Sequence, residues 1–328
     1  MRRREFITLL GAAATARPVT TRAQPSGPTR RVGVFVTGPQ TDSENATRLV
    51  AFQKGMRALG WSEGANVQFD YRFGTDEDEL RAKARELVAL APDVIFAATP
   101  PTVMALLRIN RSVPIVFAAV TDPVGLGIVQ SLSHPGGNAT GFLSAEFSFG
   151  GKWVELLSEI APGTRRVGVL TDPENRGSPG QFATIQTAAS ERNIEAALLS
   201  FHDPAEIEST IAAFARIPNS GLIVLRIVET ITHRELIAKL AAKYRLPTVY
   251  PLKTFATSGG LASYGPDIVA QFQESAGYVD RILKGEKPAE LPVQTPTKYD
   301  LTINLKAAKE IGITIAPTLL SRADEVIE

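Results

Sequence analysis

A five-residue phrase occurs twice in this chain. Arg30-Arg31-Val32-Gly33-Val34 recurs as Arg165-Arg166-Val167-Gly168-Val169, 135 residues further on. Each copy runs from basic residues into a short β-branched stretch. Each stretch ends in a polar turn containing proline, Thr37-Gly38-Pro39 and Thr171-Asp172-Pro173. The repeat gains its weight from position, because each copy heads an equivalent series of elements.

In the first half, Arg31–Val36 reads as a buried strand and Ser43–Leu59 as a helix with Leu49, Phe52, Met56 and Leu59 on one stripe. Val67, Phe69 and Tyr71 alternate as a strand, Asp78–Leu90 is a helix, and Asp93–Ala98 is a continuous apolar strand. Pro101–Asn110 is a short helix and Ile115–Val120 another buried strand. The second half repeats the scheme with strands Val167–Leu170, Ala196–Ser200, Leu222–Leu225 and Thr248–Tyr250. The helices between them are Gly180–Arg192, Pro204–Arg216 and Thr232–Tyr244. Short all-apolar strands alternating with amphipathic helices imply parallel sheets covered on both faces. The fold class is therefore α/β, as two doubly wound Rossmann-like lobes.

The last stretch is too poor in elements for a third domain. It offers strand-like Leu261–Tyr264, a helix at Ile268–Leu283, extended Pro292–Pro296 and a short helix near Asn304. It must complete the two earlier sheets, so the chain crosses between lobes near 145, 255 and 295, as a multi-crossover hinge. The expected division gives residues 30–146 plus 257–294 to the N-terminal lobe, and 147–256 plus 295–328 to the C-terminal lobe.

Residues 1–23 read as an export leader. Arg2, Arg3 and Arg4 form a basic start, Phe6 to Ala16 a short apolar run, and Thr21-Arg22-Ala23 a small-residue exit. Arg3-Arg4-Glu5-Phe6-Ile7 is similar to the twin-arginine export signal. The apolar run is far short of the ~20 residues needed to span a bilayer. Removing the leader takes the formal net charge from +1 to −3. The expected location is the periplasm. The chain has no cysteine, which excludes disulfides, thiolate metal sites, Cys nucleophiles and a lipidated Cys at the leader junction. No membrane anchor is expected, and the near-neutral charge argues against a nucleic-acid surface.

In open parallel sheets, ligands sit beyond the carboxyl ends of the strands. Here those ends carry Thr99-Pro100, Thr121-Asp122-Pro123 and Thr171-Asp172-Pro173. Thr or Asp there can cap a helix, with Pro in its first turn, and the free N–H groups attract anions. Read one at a time, each is equally well a plain helix cap; at one topological level, they outline a cleft. Tyr250 and Tyr264 fall at strand ends near the hinge, where each offers a ring and a hydroxyl to an amphipathic ligand or packs into the core. Trp153 reads as core. Enzyme motifs are scarce: there is no GxxxxGK[ST], no GxSxG, and Gly125 and Gly127 lack a third fingerprint glycine. The histidines His134, His202 and His233 have no HExxH spacing, so no metal and no catalytic residue are expected.

The strings RRREFITLLGAAA at 2–14, PIVFAAVTDPVGLGIVQSLSHPGGNATGF at 114–142 and YVDRILKGEKPAELPVQTPTKYDLTINLKAAKEIGITI at 278–315 resemble one known family. It is the periplasmic substrate-binding proteins of ABC transporters, in the tryptophan/aromatic-amino-acid-like group, with the type I periplasmic-binding architecture. LVALAPDVIFA, FSFGGKWVELLSEIAP, HRELI and LLSRADEVIE extend the resemblance over essentially the whole chain. It implies a two-lobed receptor, monomeric and without a cofactor, that closes on a small solute and delivers it to membrane permease subunits. Carried over by position, the first lobe would contribute Thr37, Pro39, Thr99, Thr121 and Asp122 to ligand binding, and the second Glu146, Asn175, Glu229 and Tyr250. Tyr264 joins them as the second strand-end tyrosine. One departure stands out: where the family carries a Pro-Asp-type turn, this chain has Arg226-Ile227-Val228-Glu229. Arg226 either pairs with a carboxylate in the cleft or lies outside it.

Two other classes share the architecture. A two-lobed enzyme such as a glycosyltransferase or dehydrogenase needs a cofactor motif or acid/base pair, and none is found. A transcription regulator needs a DNA-binding headpiece of roughly 50 residues, and only Gln24–Arg30 separates the leader from the first strand.

Overall fold

The computed structural model describes residues 28–144, 149–172, 174–175 and 177–328. The expected leader lies outside the described residues. The first lobe is built from β1 (Arg30–Thr37), α1 (Ser43–Ala58), β2 (Val67–Gly74), α2 (Glu77–Ala89), β3 (Val94–Ala98), α3 (Pro100–Ile109), β4 (Ile115–Val120) and β5 (Ala139–Leu143). Its strands form one parallel sheet in the order β2-β1-β3-β4-β5. The second lobe opens with α4 (Gly150–Ile160), β6 (Arg166–Thr171), α5 (Ser178–Ser190), β7 (Glu195–Ser200), α6 (Glu206–Phe214) and β8 (Ser220–Val224). It continues through α7 (Val228–Thr232), α8 (Arg234–Lys243), β9 (Thr248–Tyr250), α9 (Lys253–Thr257) and β10 (Ala262–Pro266). Its sheet runs β7-β6-β8-β9-β10, the same winding as the first. The repeated phrase thus lies on equivalent strands, β1 and β6, each second from one end of that winding.

The glycine inside each phrase has one physical reason. A Cβ on Gly33 would lie 3.0 Å from Leu87 of α2, and one on Gly168 would lie 2.4 Å from Leu199 of β7 and 2.8 Å from Phe214 of α6. Both strands are pressed closely by the helix that crosses them.

Alternate strand residues feed opposite faces. In the first lobe, Val34 and Phe96 pack under Phe52 and Met56 of α1, whereas Phe35 and Ile95 pack under Leu87 and Leu106 of α2 and α3. In the second, Leu222 and Val224 face Ile207 and Ile237 of α6 and α8, and Val169 and Ile223 face Leu157 and Ile185 of α4 and α5. Two-sided burial is what the continuous apolar strands require.

The C-terminal segment differs from expectation in one respect. Ala262–Pro266, expected in the first lobe as part of 257–294, pairs with β9 in parallel and with Tyr299–Asn304 in antiparallel fashion, inside the second sheet. The chain therefore crosses at Pro266–Ile268, not near 255. α10 (Ile268–Leu283) then returns to the first lobe and lies along α1, with Phe272 and Ala276 in that core. After a bridge from Gln294 to Phe142 of β5, β11 (Tyr299–Asn304), α11 (Leu305–Ile311), α12 (Pro317–Leu320) and β12 (Glu325–Ile327) extend the second sheet. β5, α4, α7, α9, β11, α12 and β12 are elements beyond those expected from the sequence.

Candidate functional site

The carboxyl ends of β3 and β4 from the first lobe face those of β6 and β8 from the second. Between them lies a cleft of about 590 Å³. Five of the expected ligand residues line it: Thr99, Thr121 and Asp122 from the first lobe, and Asn175 and Glu229 from the second. Thr37 stands directly behind, its hydroxyl 2.6 Å from that of Thr99. Thr121 is held in the same way by Ser144, at 2.7 Å.

Three others do not meet there. Pro39 is exposed on the β1–α1 turn, where its carbonyl accepts the Asp42 N–H. Tyr250 is 1% exposed and stacks on Phe255 inside the second lobe, where burial raises the hydroxyl's pKa. Tyr264 lines a separate pocket with Tyr299 and Lys152, and it stacks on Phe149 at 5.0 Å. Its carbonyl accepts the indole N–H of Trp153 at 2.7 Å. Strand ends point side chains to either face, and both tyrosines point into packed layers rather than the gap. Glu146 lies outside the described residues.

The proline turns are not simple helix caps. Thr99 occupies the N-cap position of α3, with Pro100 following, but its side chain makes no capping bond. Asp122 accepts the Gly125 N–H at 2.8 Å and closes a turn; no helix starts at Pro123. Asp172 likewise accepts the Glu174 N–H, and α5 begins only at Ser178.

Backbone strain gathers at this cleft. Thr99 (φ 80°), Ala119 (φ 59°) and Asp122 (φ 51°) all adopt positive φ, and all three line it. Such conformations are unfavourable for residues with a Cβ, most of all for β-branched Thr, and they cluster at ligand sites. Two of these residues make the contacts described here: the Thr99 hydroxyl pairs with that of Thr37, and the Ala119 carbonyl accepts from Arg226.

The sequence does not place Met104, Ala119 or Ile227 in the cleft, and it leaves Arg226 open; Asp172, on one of the expected strand-end turns, does line it. Arg226 lines the cleft, and its Nη1–H donates across the gap to the Ala119 carbonyl at 3.3 Å. A second interlobe pair sets Arg234 of α8 3.4 Å from Glu44 of α1. Glu44 also accepts from Arg48 on its own helix. Burial lowers the Arg226 pKa to about 10, and the nearby Arg48 charge acts in the same direction. The guanidinium is still charged at neutral pH. Among the described residues, no group of three or more His, Asp or Glu is placed to hold a metal ion.

A family model described as "ABC transporter substrate binding protein" matches residues 31–327. The tyrosine-binding protein of Clostridioides difficile strain R20291 is 24% identical over 269 residues, 80% of this chain and 75% of that protein. The structure of the ABC domain from Streptococcus pneumonia in complex with L-Trp superposes with a TM-score of 0.84 at 24% identity, covering 91% of this chain and 100% of that one. A conserved domain protein from Vibrio cholerae superposes with a TM-score of 0.83 at 30% identity, covering 91% and 99%.

Proposed function

This chain belongs to the ABC transporter substrate binding protein family, a family of solute-binding receptors, and from that premise we propose that its solute is an amino-acid-like or aromatic acid held between the lobes. The observation that carries this reading is the cleft shared by the strand ends of both lobes, with strained backbone on one wall and an arginine on the other. One similar protein is named for tyrosine binding and the structure of another is a complex with L-Trp, so aromatic amino acids come first in the search.

Thr99, Thr121, Asp122, Asn175 and Glu229 supply polar contacts, and Met104 and Ile227 supply apolar wall. The lobes close about the crossovers near 145, at Pro266–Ile268 and near 295, and no bond is made or broken. The closed form is favoured only as far as the solute binds it more tightly than the open form. The mature protein acts as a monomer in the periplasm, reaches it by the twin-arginine route, and hands the solute to permease subunits. Among the described residues, no helix is long and apolar enough to cross a membrane. No observation favours the two-lobed enzyme.

The test is a thermal-unfolding screen of amino acids, aromatic acids, sugars and nucleosides. A solute at a hundred times its Kd adds about 2.7 kcal/mol of stability. One chemical class, the aromatic amino acids first, is expected to raise Tm. A flat screen would contradict the receptor reading.

A further inference from the structure

Resting on the receptor reading above, we propose that Arg226 anchors the solute's carboxylate and restricts the cleft to amino-acid-like monocarboxylates. The position is built rather than incidental. The backbone on either side of Arg226 is clamped by Thr230, a fully buried side chain on α7. Its hydroxyl lies 2.7 Å from the Leu225 carbonyl, 3.1 Å from the Ile227 carbonyl and 3.3 Å from the Ile227 N–H. The Leu225 N–H is also tied to β6 through the Leu170 carbonyl. A side chain carried on such a turn has little freedom to leave the cleft.

The guanidinium itself is underused. It has five N–H donors, and among the described residues its one hydrogen bond runs from Nη1 to Ala119. Nε is buried and has no hydrogen-bond partner among them. Nor does Arg226 form an ion pair with any described Asp or Glu. The one carboxylate whose charge reaches it is Glu44, which Arg48 and Arg234 already engage. A buried cation without an anion is unfavourable until one arrives, and a carboxylate meeting the Nε edge makes the forked pair for which a guanidinium is shaped.

The remaining charges narrow the class. Among the described residues, every other charged side chain lining the cleft is acidic: Glu77, Asp122, Asp172, Glu174 and Glu229. A dicarboxylate would place its second charge among them, whereas an ammonium is welcome there. The chemistry selects a zwitterion with one carboxylate, and rejects by repulsion what it does not select.

The experiment compares the purified protein with its Arg226→Gln and Arg226→Lys variants, using thermal shift and calorimetric titration. The probes are L-tryptophan, L-tyrosine, their carboxylate-free counterparts tryptamine and tyramine, L-glutamate, glucose and adenosine. The parent should respond to at least one of the two amino acids, and not to its amine or to L-glutamate. Arg226→Gln should weaken that binding by about thirtyfold or more, the loss expected for one partner of a buried charge pair. Arg226→Lys should fall between, and the ligand-free Tm of Arg226→Gln should be no lower than that of the parent. An amine that binds as well as its acid, or acid binding unchanged in Arg226→Gln, overturns the anchor. If Arg226→Gln does not fold, Arg226→Lys decides, and acid affinity within twofold of the parent overturns it. Glucose or adenosine stabilising parent and variant equally removes the anchor but leaves the receptor reading; no response to any probe or to the wider screen removes both.

Discussion

Phe96→Ala is expected to lower the unfolding free energy by about 3–5 kcal/mol, the cost of a large cavity in a core that cannot collapse. Phe96 is fully buried on β3. Its ring stacks on Phe52 of α1 at 4.4 Å and 6° between planes, and meets the edge of Phe272 of α10 at 5.1 Å and 85°. The three rings come from a strand, an early helix and a helix that returns after the second lobe. Each is fixed by its own packing, so none can move in to fill the space. Chemical denaturation of parent and variant measures the effect, and a loss under about 1.5 kcal/mol, the range of mild core swaps, would contradict this packing.

The second large effect lies where the returning helix docks. Gly55→Leu is expected to cost about 3 kcal/mol, at the top of the usual range for overpacking. A Cβ at Gly55 would lie 2.5 Å from the Gln273 carbonyl oxygen and 2.8 Å from the Ala276 Cβ. The first of these is backbone and cannot rotate away. Better helix propensity returns only about 1 kcal/mol, so the clash decides the sign. The variant should show a lower denaturation midpoint, because α10 is pushed off α1. An unchanged or raised midpoint would mean that the two helices do not approach as closely as described.

Most of the winding was legible in the sequence, because strands buried on both faces are continuous apolar runs, and the helices between them carry clear stripes. Of the parts that were missed, α4 does carry a stripe, with Trp153, Val154, Leu157 and Ile160 buried, whereas β5 and β11 lack that signature. β5 contains Gly141, at φ 156°, whose Cβ would lie 2.0 Å from the Phe117 carbonyl. That residue reads as loop composition until the close approach is seen. β11 begins after a proline-rich stretch and pairs antiparallel, outside the repeating scheme. β10 was given to the wrong lobe because it directly precedes α10, which does return to the first.

The site was legible to the extent that polar residues follow strands. Thr99, Thr121, Asp122 and Asp172 follow from that rule, whereas Asn175 and Glu229 came only with the family resemblance. Tyr250 and Tyr264 satisfied the same rule and point elsewhere, since direction at a strand end depends on the next turn. Arg226 could not be placed for that reason: its aim is set by Thr230, four residues on. The positive φ values at Thr99, Ala119 and Asp122 have no glycine to announce them.

Closure of the lobes on a solute in the shared cleft is tested most directly by a distance measurement. The chain has no cysteine, so labels can be placed cleanly at exposed Arg85→Cys on α2 and Gln186→Cys on α5, one on each lobe. Energy transfer between them should rise saturably with the solute that raises Tm, with one midpoint for both signals. A solute that stabilises the protein and leaves the transfer efficiency unchanged would contradict closure.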